Sequence, residues 1–264
     1  MKEYRLEKVA QVGSGSEYGE APSIFFDKVS LTLGDKPLFD NLSVTVEGGQ
    51  CTCILGPSGC GKSTLLRMIS GTTSLAYRGT IRLDSEVADH GKIAWMSQND
   101  LLLPWFSLLD NILLGAKLRN EESAALRSRA RHLMGEAGLA GYEDALPATL
   151  SGGMRQRGAL LRTLMEERPV LLMDEPFSAL DALARMKLQN LSARLTRKAT
   201  VLLVTHDPME ALRMGHKILV LSKRPAQVKS VVSLVGTPPR NVDDPEIQAH
   251  FSVLLGQLMD ESLV

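Results

Sequence analysis

The sequence predicts an α/β fold with a mostly parallel sheet, an antiparallel β-subdomain before it and an inserted α-helical subdomain. Four short runs, CTCILG, VLLMD, VLLVTH and KILVLS, are continuously apolar, which is typical of parallel strands buried on both faces. Residues 24–46 alternate apolar and polar residues around a GDKP turn, which predicts half-exposed antiparallel strands. Residues 99–166 carry apolar side chains at helical spacing, so we expect the inserted helices there.

The composition excludes several classes of protein. The chain has 264 residues, of which 44% are hydrophobic, enough for a sizeable core. Its 30 basic and 30 acidic residues cancel and are interspersed, so we expect no nucleic-acid partner. No apolar run reaches the roughly 18 residues that span a bilayer, and the N-terminus lacks the apolar centre of a secretory signal. We therefore expect the protein to remain in the cytoplasm.

The cysteines favour a structural role over metal binding. Cys51, Cys53 and Cys60 lie close together, but no histidine or further cysteine lies nearby in the sequence to complete a zinc site. Cys51 and Cys53 alternate within an apolar strand pattern, so we expect them to be core-facing thiols.

The chain divides into three predicted segments. Residues 1–21 are polar and rich in Gly, Ser and Glu, which indicates a flexible leader. Residues 22–232 contain the predicted sheets and helices, and residues 233–264 form a C-terminal helical tail. Apolar residues of this tail share one helical stripe that should pack onto the chain's own core: Ile247, Phe251, Leu254, Leu255 and Leu258.

A phosphate-binding loop follows the first parallel strand. The segment GPSGCGKST lies between that strand and a helical run, the context that the G-x-x-x-x-G-K-[ST] motif requires. Its glycines let successive N–H groups point at phosphate oxygens, Lys62 can reach the β- and γ-phosphates, and Ser63 can ligate Mg²⁺. The sequence therefore predicts a P-loop NTPase core. The nucleotide-binding residues are Gly56, Pro57, Ser58, Gly59, Cys60, Gly61, Lys62, Ser63 and Thr64.

Two acidic residues end the second parallel strand, VLLMD. Asp174 should reach the same edge of the sheet as the phosphate loop and hold Mg²⁺, with Ser63. Glu175 can orient an attacking water molecule and take its proton. The pair predicts hydrolysis of the bound nucleotide.

A second candidate phosphate device, LSGGMRQR at residues 150–157, sets a serine and paired glycines before a helical run. Together with GPSGCGKST, LLMDEP, SALD and VTHD, in this order, it resembles the ABC-type ATPases, and the resemblance runs from about residue 24 to residue 222. The resemblance implies an ABC ATPase domain over residues 22–232 and makes residues 150–157 its signature segment. It implies a head-to-tail dimer in which each ATP is held by one chain's phosphate loop and the other chain's signature.

The resemblance also assigns roles to particular residues. It implies contacts to the ATP of the opposite subunit from Ser151, Gly152, Gly153 and Asp181. It implies that Gln98 senses Mg²⁺ and the γ-phosphate and helps to hold the metal. It implies that His206 contacts the γ-phosphate and supports the attacking water. The catalytic set is then Glu175, His206, Gln98 and Lys62, with Ser63, Gln98 and Asp174 at the metal.

Local signals specify the turn after His206. Asp207 is a candidate N-cap, followed by proline at the first helical position, and Glu210 is expected to close a capping box. Gly215 is the predicted terminator of this helix.

The sequence departs from the family pattern at three positions. Leu33 stands where an aromatic residue often stacks on adenine, so the base rests on this aliphatic side chain or Phe39 substitutes. Met154 replaces a common glutamine in the signature. Gly158 stands where a helix would prefer a larger residue, at a cost of about 1 kcal/mol if the position is exposed.

The family resemblance extends to transport. A single such domain without a membrane span implies separate integral-membrane permease subunits, an extracytoplasmic substrate-binding protein and a place on the cytoplasmic face of the inner membrane. QNDLLLPWFSLLDNILLG and LSKRP resemble the ATPases of nitrate, sulfonate and taurine importers. Exporter or lipid-trafficking ATPases, and soluble ABC ATPases acting on DNA or ribosomes, are the alternatives. A permease should dock near an apolar patch of Leu101, Leu102, Leu103, Trp105 and Phe106.

Overall fold

The computed structural model describes residues 21–84, 86–87 and 90–262, so the predicted leader lies outside the described residues apart from Ala21. Its strands are β1 Ile24–Leu33, β2 Lys36–Val46, β3 Cys51–Leu55, β4 Arg78–Leu83, β5 Glu86–Val87, β6 Ile93–Met96, β7 Val170–Asp174, β8 Thr200–Thr205, β9 Lys217–Leu221 and β10 Val228–Ser233. Its helices are α1 Lys62–Ile69, α2 Leu108–Ile112, α3 Leu114–Leu118, α4 Ala124–Glu136, α5 Gly152–Met165, α6 Ala182–Leu195, α7 Pro208–Met214 and α8 Pro245–Ser262.

Two sheets form the framework, as the sequence predicts. The first has the order β2-β1-β4-β5, and its strand pairs are antiparallel. The second has the order β10-β9-β3-β8-β7-β6, in which β9, β3, β8, β7 and β6 run parallel and β10 pairs antiparallel at one edge. The four apolar runs are β3, β7, β8 and β9. The predicted α/β fold with its antiparallel and helical subdomains is therefore confirmed.

The parallel strands are buried on both faces because the second sheet separates two apolar cores. In β3, Cys53 and Leu55 pack in the core on the helical side, whereas Ile54 packs in the core shared with the antiparallel sheet. In β7 the same alternation sends Met173 to the helical side and Leu172 to the other. This two-sided burial explains why these strands carry no polar face.

Gly158 corrects the expectation that its helix would prefer a larger residue there. The residue is buried in α5, and a Cβ at this position would lie 2.5 Å from Leu108 Cδ1 of α2. Helix α5 approaches α2 this closely because residue 158 has no side chain. The glycine is a packing requirement rather than a defect of an exposed helix.

The C-terminal helix α8 packs against α7, and its apolar stripe is only partly as predicted. Ile247 and Leu254 are fully buried, and Phe251 and Leu258 are half-buried. Leu255 is exposed, so it does not belong to the packed stripe.

None of the helices in the described part of the chain is long and apolar enough to cross a membrane.

Candidate nucleotide and hydrolysis site

Three parallel strands bring the candidate residues to one edge of the sheet. The phosphate loop follows β3, Glu175 follows β7 and His206 follows β8. In register, Leu55 pairs with Thr205 and Asp174 pairs with Val204, so the three strands end side by side. This edge, at the carboxyl ends of the strands, is where α/β sheets bind ligands.

The phosphate loop owes its shape to glycines. Gly59 and Gly61 have φ values of 78° and 108°, in the region that favours glycine. A Cβ on Gly61 would lie 2.7 Å from Phe39 Cζ, so a larger residue would not fit. The Lys62 ammonium donates hydrogen bonds to the carbonyls of Gly56, at 2.7 Å, and Pro57, at 2.9 Å. The loop therefore holds the Lys62 ammonium beside its own backbone, at the N-terminus of helix α1.

Asp174 has the properties of a metal-holding carboxylate. It is 3% exposed, and its Oδ1 has no hydrogen-bond partner among the described residues. Burial raises its pKa, while a hydrogen bond from Ser63 acts in the opposite direction. A buried carboxylate with an unpaired oxygen beside a serine hydroxyl supplies the hard oxygen donors that Mg²⁺ prefers. Asp174 and Ser63 therefore fit this ion.

Glu175 and His206 form a pair across the ends of β7 and β8. Glu175 Oε1 lies 3.0 Å from His206 Nδ1. Glu175 has a φ of 49°, rare for a side chain of this size, and its N–H donates to the Val204 carbonyl at 2.9 Å. This backbone turn directs a carboxylate toward the imidazole, an arrangement suited to orienting water and accepting its proton.

Gln156 is a site residue that sequence reasoning missed. It is buried in α5, and its Nε2 donates to the carbonyls of Glu175 at 3.4 Å and Pro176 at 3.3 Å. It thereby ties the signature helix to the loop that carries Glu175. The only feature of the sequence that could have marked Gln156 as a site residue is its place in LSGGMRQR, two residues after Met154.

The signature segment is exposed at Ser151 and Gly152, whereas Leu150 and Gln156 are buried. Ser151 is the N-cap of α5 and accepts a hydrogen bond from the Met154 N–H at 3.3 Å. Within the described part of the chain, no hydrogen bond joins Ser151, Gly152 or Gly153 to residues 56–64. Asp181 is an exposed N-cap of α6, and the Ala184 N–H that it accepts at 2.9 Å is the main cause of its lowered pKa.

Gln98 is exposed and lies two residues after β6. The loop that follows it is held by two arginines of α5. Arg155 donates to Asp100 Oδ2 at 3.0 Å, and Arg162 donates to the Asp100 carbonyl at 2.7 Å. Sequence reasoning missed these arginines, whose partners lie 55 and 62 residues away along the chain.

The turn after His206 partly follows prediction. Asp207 caps α7 by accepting the N–H groups of Met209, at 2.9 Å, and Glu210, at 3.3 Å. The predicted capping box is wrong, because the Asp207 N–H donates to Thr205 Oγ1 at 3.0 Å and the Glu210 side chain is buried. Gly215 ends the helix, as predicted.

The burial of Phe39 and Leu33 bears on which of them could contact the adenine base. Phe39 is 1% exposed beneath Gly61, so it cannot stack on a base from this position, whereas Leu33 is only half-buried.

In the apolar patch, Leu101 and Trp105 are exposed, Leu102 is buried, and Leu103 and Phe106 are half-buried. The patch is thus divided between surface and core.

The parallel sheet, its phosphate loop and the acidic pair define a P-loop nucleotide hydrolase. The sequence profile of the ABC transporter family matches residues 39–178. An uncharacterized ABC transporter ATP-binding protein of Haemophilus influenzae is 40% identical over 234 residues, 88% of this chain and 95% of the relative. The chain belongs to the ABC transporter family, as one of its ATP-hydrolysing, ATP-binding subunits.

Other relatives and solved structures agree with this assignment. The aliphatic sulfonates import ATP-binding protein SsuB of Delftia acidovorans is 38% identical over 240 residues, 90% of this chain and 95% of the relative. SsuB 2 of Burkholderia cenocepacia is 37% identical over 242 residues, 90% of this chain and 88% of the relative. The dimeric post-hydrolysis structure of the ATP-binding cassette MJ0796 with ADP and phosphate has a TM-score of 0.72 and 28% identity, covering 81% of this chain and 99% of that chain.

Proposed function

We propose that this chain is the ATPase subunit of an importer for a small molecule of the nitrate, sulfonate or taurine class. The observation that carries the import assignment is the likeness, at 37–38% identity over 90% of this chain, to proteins named for aliphatic sulfonate import. Residues 22–232 are its ATPase domain, with a helical subdomain at about 99–166, and residues 233–264 are the tail.

The geometry of the strand ends supports the following hydrolytic roles. Residues 56–64 wrap the phosphates of ATP, with Lys62 as their cation. Asp174 and Ser63, with Gln98, hold Mg²⁺, which when bound neutralises charge on the phosphates. Glu175 accepts a proton from the attacking water, and His206, 3.0 Å from Glu175, supports that water and contacts the γ-phosphate.

The exposure of the N-terminal end of the signature helix supports a shared site. Ser151 and Gly152 are exposed, at the N-terminus of a helix that can stabilise an anion. In a head-to-tail dimer, this end of α5 reaches the ATP held by the partner's phosphate loop, with Gly153 and Asp181 beside it. The dimeric structure of the related cassette MJ0796 supports this assembly.

The hydrogen bonds of Arg155 and Arg162 provide a route from the site to the helical subdomain. Gln98 would contact the metal, and Asp100, two residues later, is hydrogen-bonded to α5 by both arginines. A shift of the Gln98 loop on ATP binding therefore displaces α5 and the neighbouring apolar patch. The exposed Trp105 and Leu101 lie on this patch, where integral-membrane permease subunits dock on the cytoplasmic face of the inner membrane.

Purification of the tagged chain from gently solubilised membranes tests this proposal. We expect multi-span permease subunits to co-purify, encoded beside an extracytoplasmic binding protein that binds taurine, an alkanesulfonate or nitrate. A permease whose binding protein takes none of these anions would overturn the substrate class alone. Recovery of an exporter or lipid-trafficking complex would overturn import, and recovery of ribosomal or DNA-repair proteins without a permease would overturn transport.

A further inference from the structure

A buried carboxyl group lies behind the hydrolysis site and has no role in the chemistry described above. Glu210 is in the first turn of α7 and is 4% exposed. Its Oε1 has no hydrogen-bond partner within residues 21–84 and 90–259. Arg185 lines the same side of the site: its guanidinium donates to Asp207 Oδ2 at 3.3 Å and to the Leu180 carbonyl at 3.2 Å, and its Nε has no hydrogen-bond partner among the described residues.

Glu210 shares a small polar cavity with the candidate catalytic pair. The cavity has a volume of about 50 Å³ and is lined by Glu175, His206, Arg185 and Glu210, with Thr205, Asp207 and Ser178. A volume of roughly 10–15 Å³ is enough to admit a water molecule, so the cavity can connect these groups through solvent. Glu210 thus faces the same space as the groups that handle the attacking water.

A chain of contacts joins Glu210 to the backbone on both sides of His206. The Asp207 N–H donates to Thr205 Oγ1 at 3.0 Å, and Thr205 lines the same cavity as Glu210, whose pKa its hydroxyl lowers. Thr205 and Asp207 are the two chain neighbours of His206. The position of the His206 imidazole relative to Glu175 therefore depends on whether the Glu210 carboxyl that faces Thr205 is neutral or ionised.

An ionised Glu210 would conflict with its surroundings. A buried carboxylate without a cationic partner is costly, and here it would also face two other carboxylates. Burial raises the pKa of Glu210 to about 8, Asp207 and Glu175 add to the rise, and Thr205 and Arg185 oppose it. The titratable and charged groups that face it are Glu175 after β7, Arg185 on α6, Cys53 on β3, and His206 and Asp207 in its own turn.

We propose that Glu210 is a positioning residue of the ATPase, a neutral carboxylic acid that holds the Thr205–Asp207 turn and thereby keeps His206 against Glu175. The inference rests on the proposed roles of Glu175 and His206. Its consequence is a loss of activity at alkaline pH, because ionisation of Glu210 places a negative charge beside Glu175 and Asp207 and displaces the turn.

The pH dependence of ATP hydrolysis tests this proposal on the full chain. We expect kcat of the wild type to fall about tenfold between its plateau and pH 9, because only a tenth of the molecules then keep the proton on Glu210. Glu210→Gln, which is neutral at every pH, should keep kcat within about twofold at pH 7 and lose the alkaline decline. Glu210→Ala should lower kcat about tenfold, because the link to Thr205 is lost. Glu246→Gln, at an exposed glutamate of α8, is the matched control and should resemble the wild type throughout.

Each outcome decides the proposal. An alkaline decline that persists in Glu210→Gln, or full activity of Glu210→Ala, would overturn it. If Glu210→Gln does not fold, the ¹³C shift of the wild-type Glu210 carboxyl replaces it, and titration near pH 4 would be the contrary result. Glu175→Gln is measured in parallel: normal turnover in that variant refutes the proposed base, whereas an arrested Glu175→Gln with an unchanged Glu210→Gln profile refutes only the role of Glu210.

Discussion

The two helix ends of this chain that we propose to bind phosphate, at α1 and α5, differ in how much of each is enclosed by the chain itself. At α1, glycines with positive φ shape the loop, and Lys62 is buried against the carbonyls of Gly56 and Pro57. At α5, Ser151 caps the helix and the following glycine is exposed. One end is enclosed within its own chain, whereas the other presents its N–H groups outward. The difference is what the proposed head-to-tail dimer requires: the fold encloses one half of the binding site and leaves the other half to face a second subunit.

The most severe test of this comparison is Glu175→Gln. Glutamine cannot accept the proton of the attacking water, so hydrolysis should fall by about 100- to 10,000-fold while ATP still binds. With hydrolysis arrested, the two helix ends should remain closed on ATP, and a stable dimer should elute from a sizing column in ATP but not in ADP. Rapid turnover in this variant would identify a different base.

Lys62→Ala breaks the enclosed end alone. We expect ATP hydrolysis to fall about 100-fold or more, because a preorganised cation at the phosphates is lost. Circular dichroism should be unchanged, and ATP should no longer drive dimer formation. Lys223→Ala is the control for lost positive charge: this lysine is exposed and precedes Arg224, which donates to the Gly59 carbonyl of the loop. Normal turnover of Lys62→Ala would contradict the assignment of this loop as the ATP site.

Mixing two inactive variants asks whether the two ends come from different chains. Ser151→Asp keeps a good N-cap but sets a negative charge against the partner's γ-phosphate. In an equal mixture with Lys62→Ala, each mixed dimer contains one intact site, so hydrolysis should recover to about a quarter of the wild-type rate. A mixture as inactive as its parents, although mixed dimers form, would contradict the shared site.

Gly158→Ala tests the packing that supports the exposed end. The added Cβ would meet Leu108 Cδ1 at 2.5 Å, so the free energy of unfolding should fall by about 1–3 kcal/mol. Gly135→Ala in α4, where no atom lies within 4 Å of an added Cβ, should instead raise it by up to about 1 kcal/mol. Urea denaturation midpoints measure both. Equal stability of the two variants would show that α2 yields to the added methyl group.

The sequence by itself determined the features that depend on residues adjacent in the chain. Apolar runs predicted the parallel strands, and GPSGCGKST predicted the loop and its lysine, Lys62, because glycine spacing and strand patterning act over a few residues. Asp174 and Glu175 were predictable for the same reason: they follow an apolar strand whose end must lie at the ligand edge of a parallel sheet.

Only the tertiary structure decided which side chains those elements bury. Gln156 reaches the Glu175 loop 19 residues away, and Arg155 reaches Asp100, 55 residues away. Phe39 fills the space beneath Gly61, 22 residues away. Glu210 matched a local capping box but lies in the core instead, because the packing of α7 onto β3 determines its burial. Capping and strand signals are local, whereas burial, and with it the pKa of a carboxyl group, depends on elements that the chain brings together only on folding.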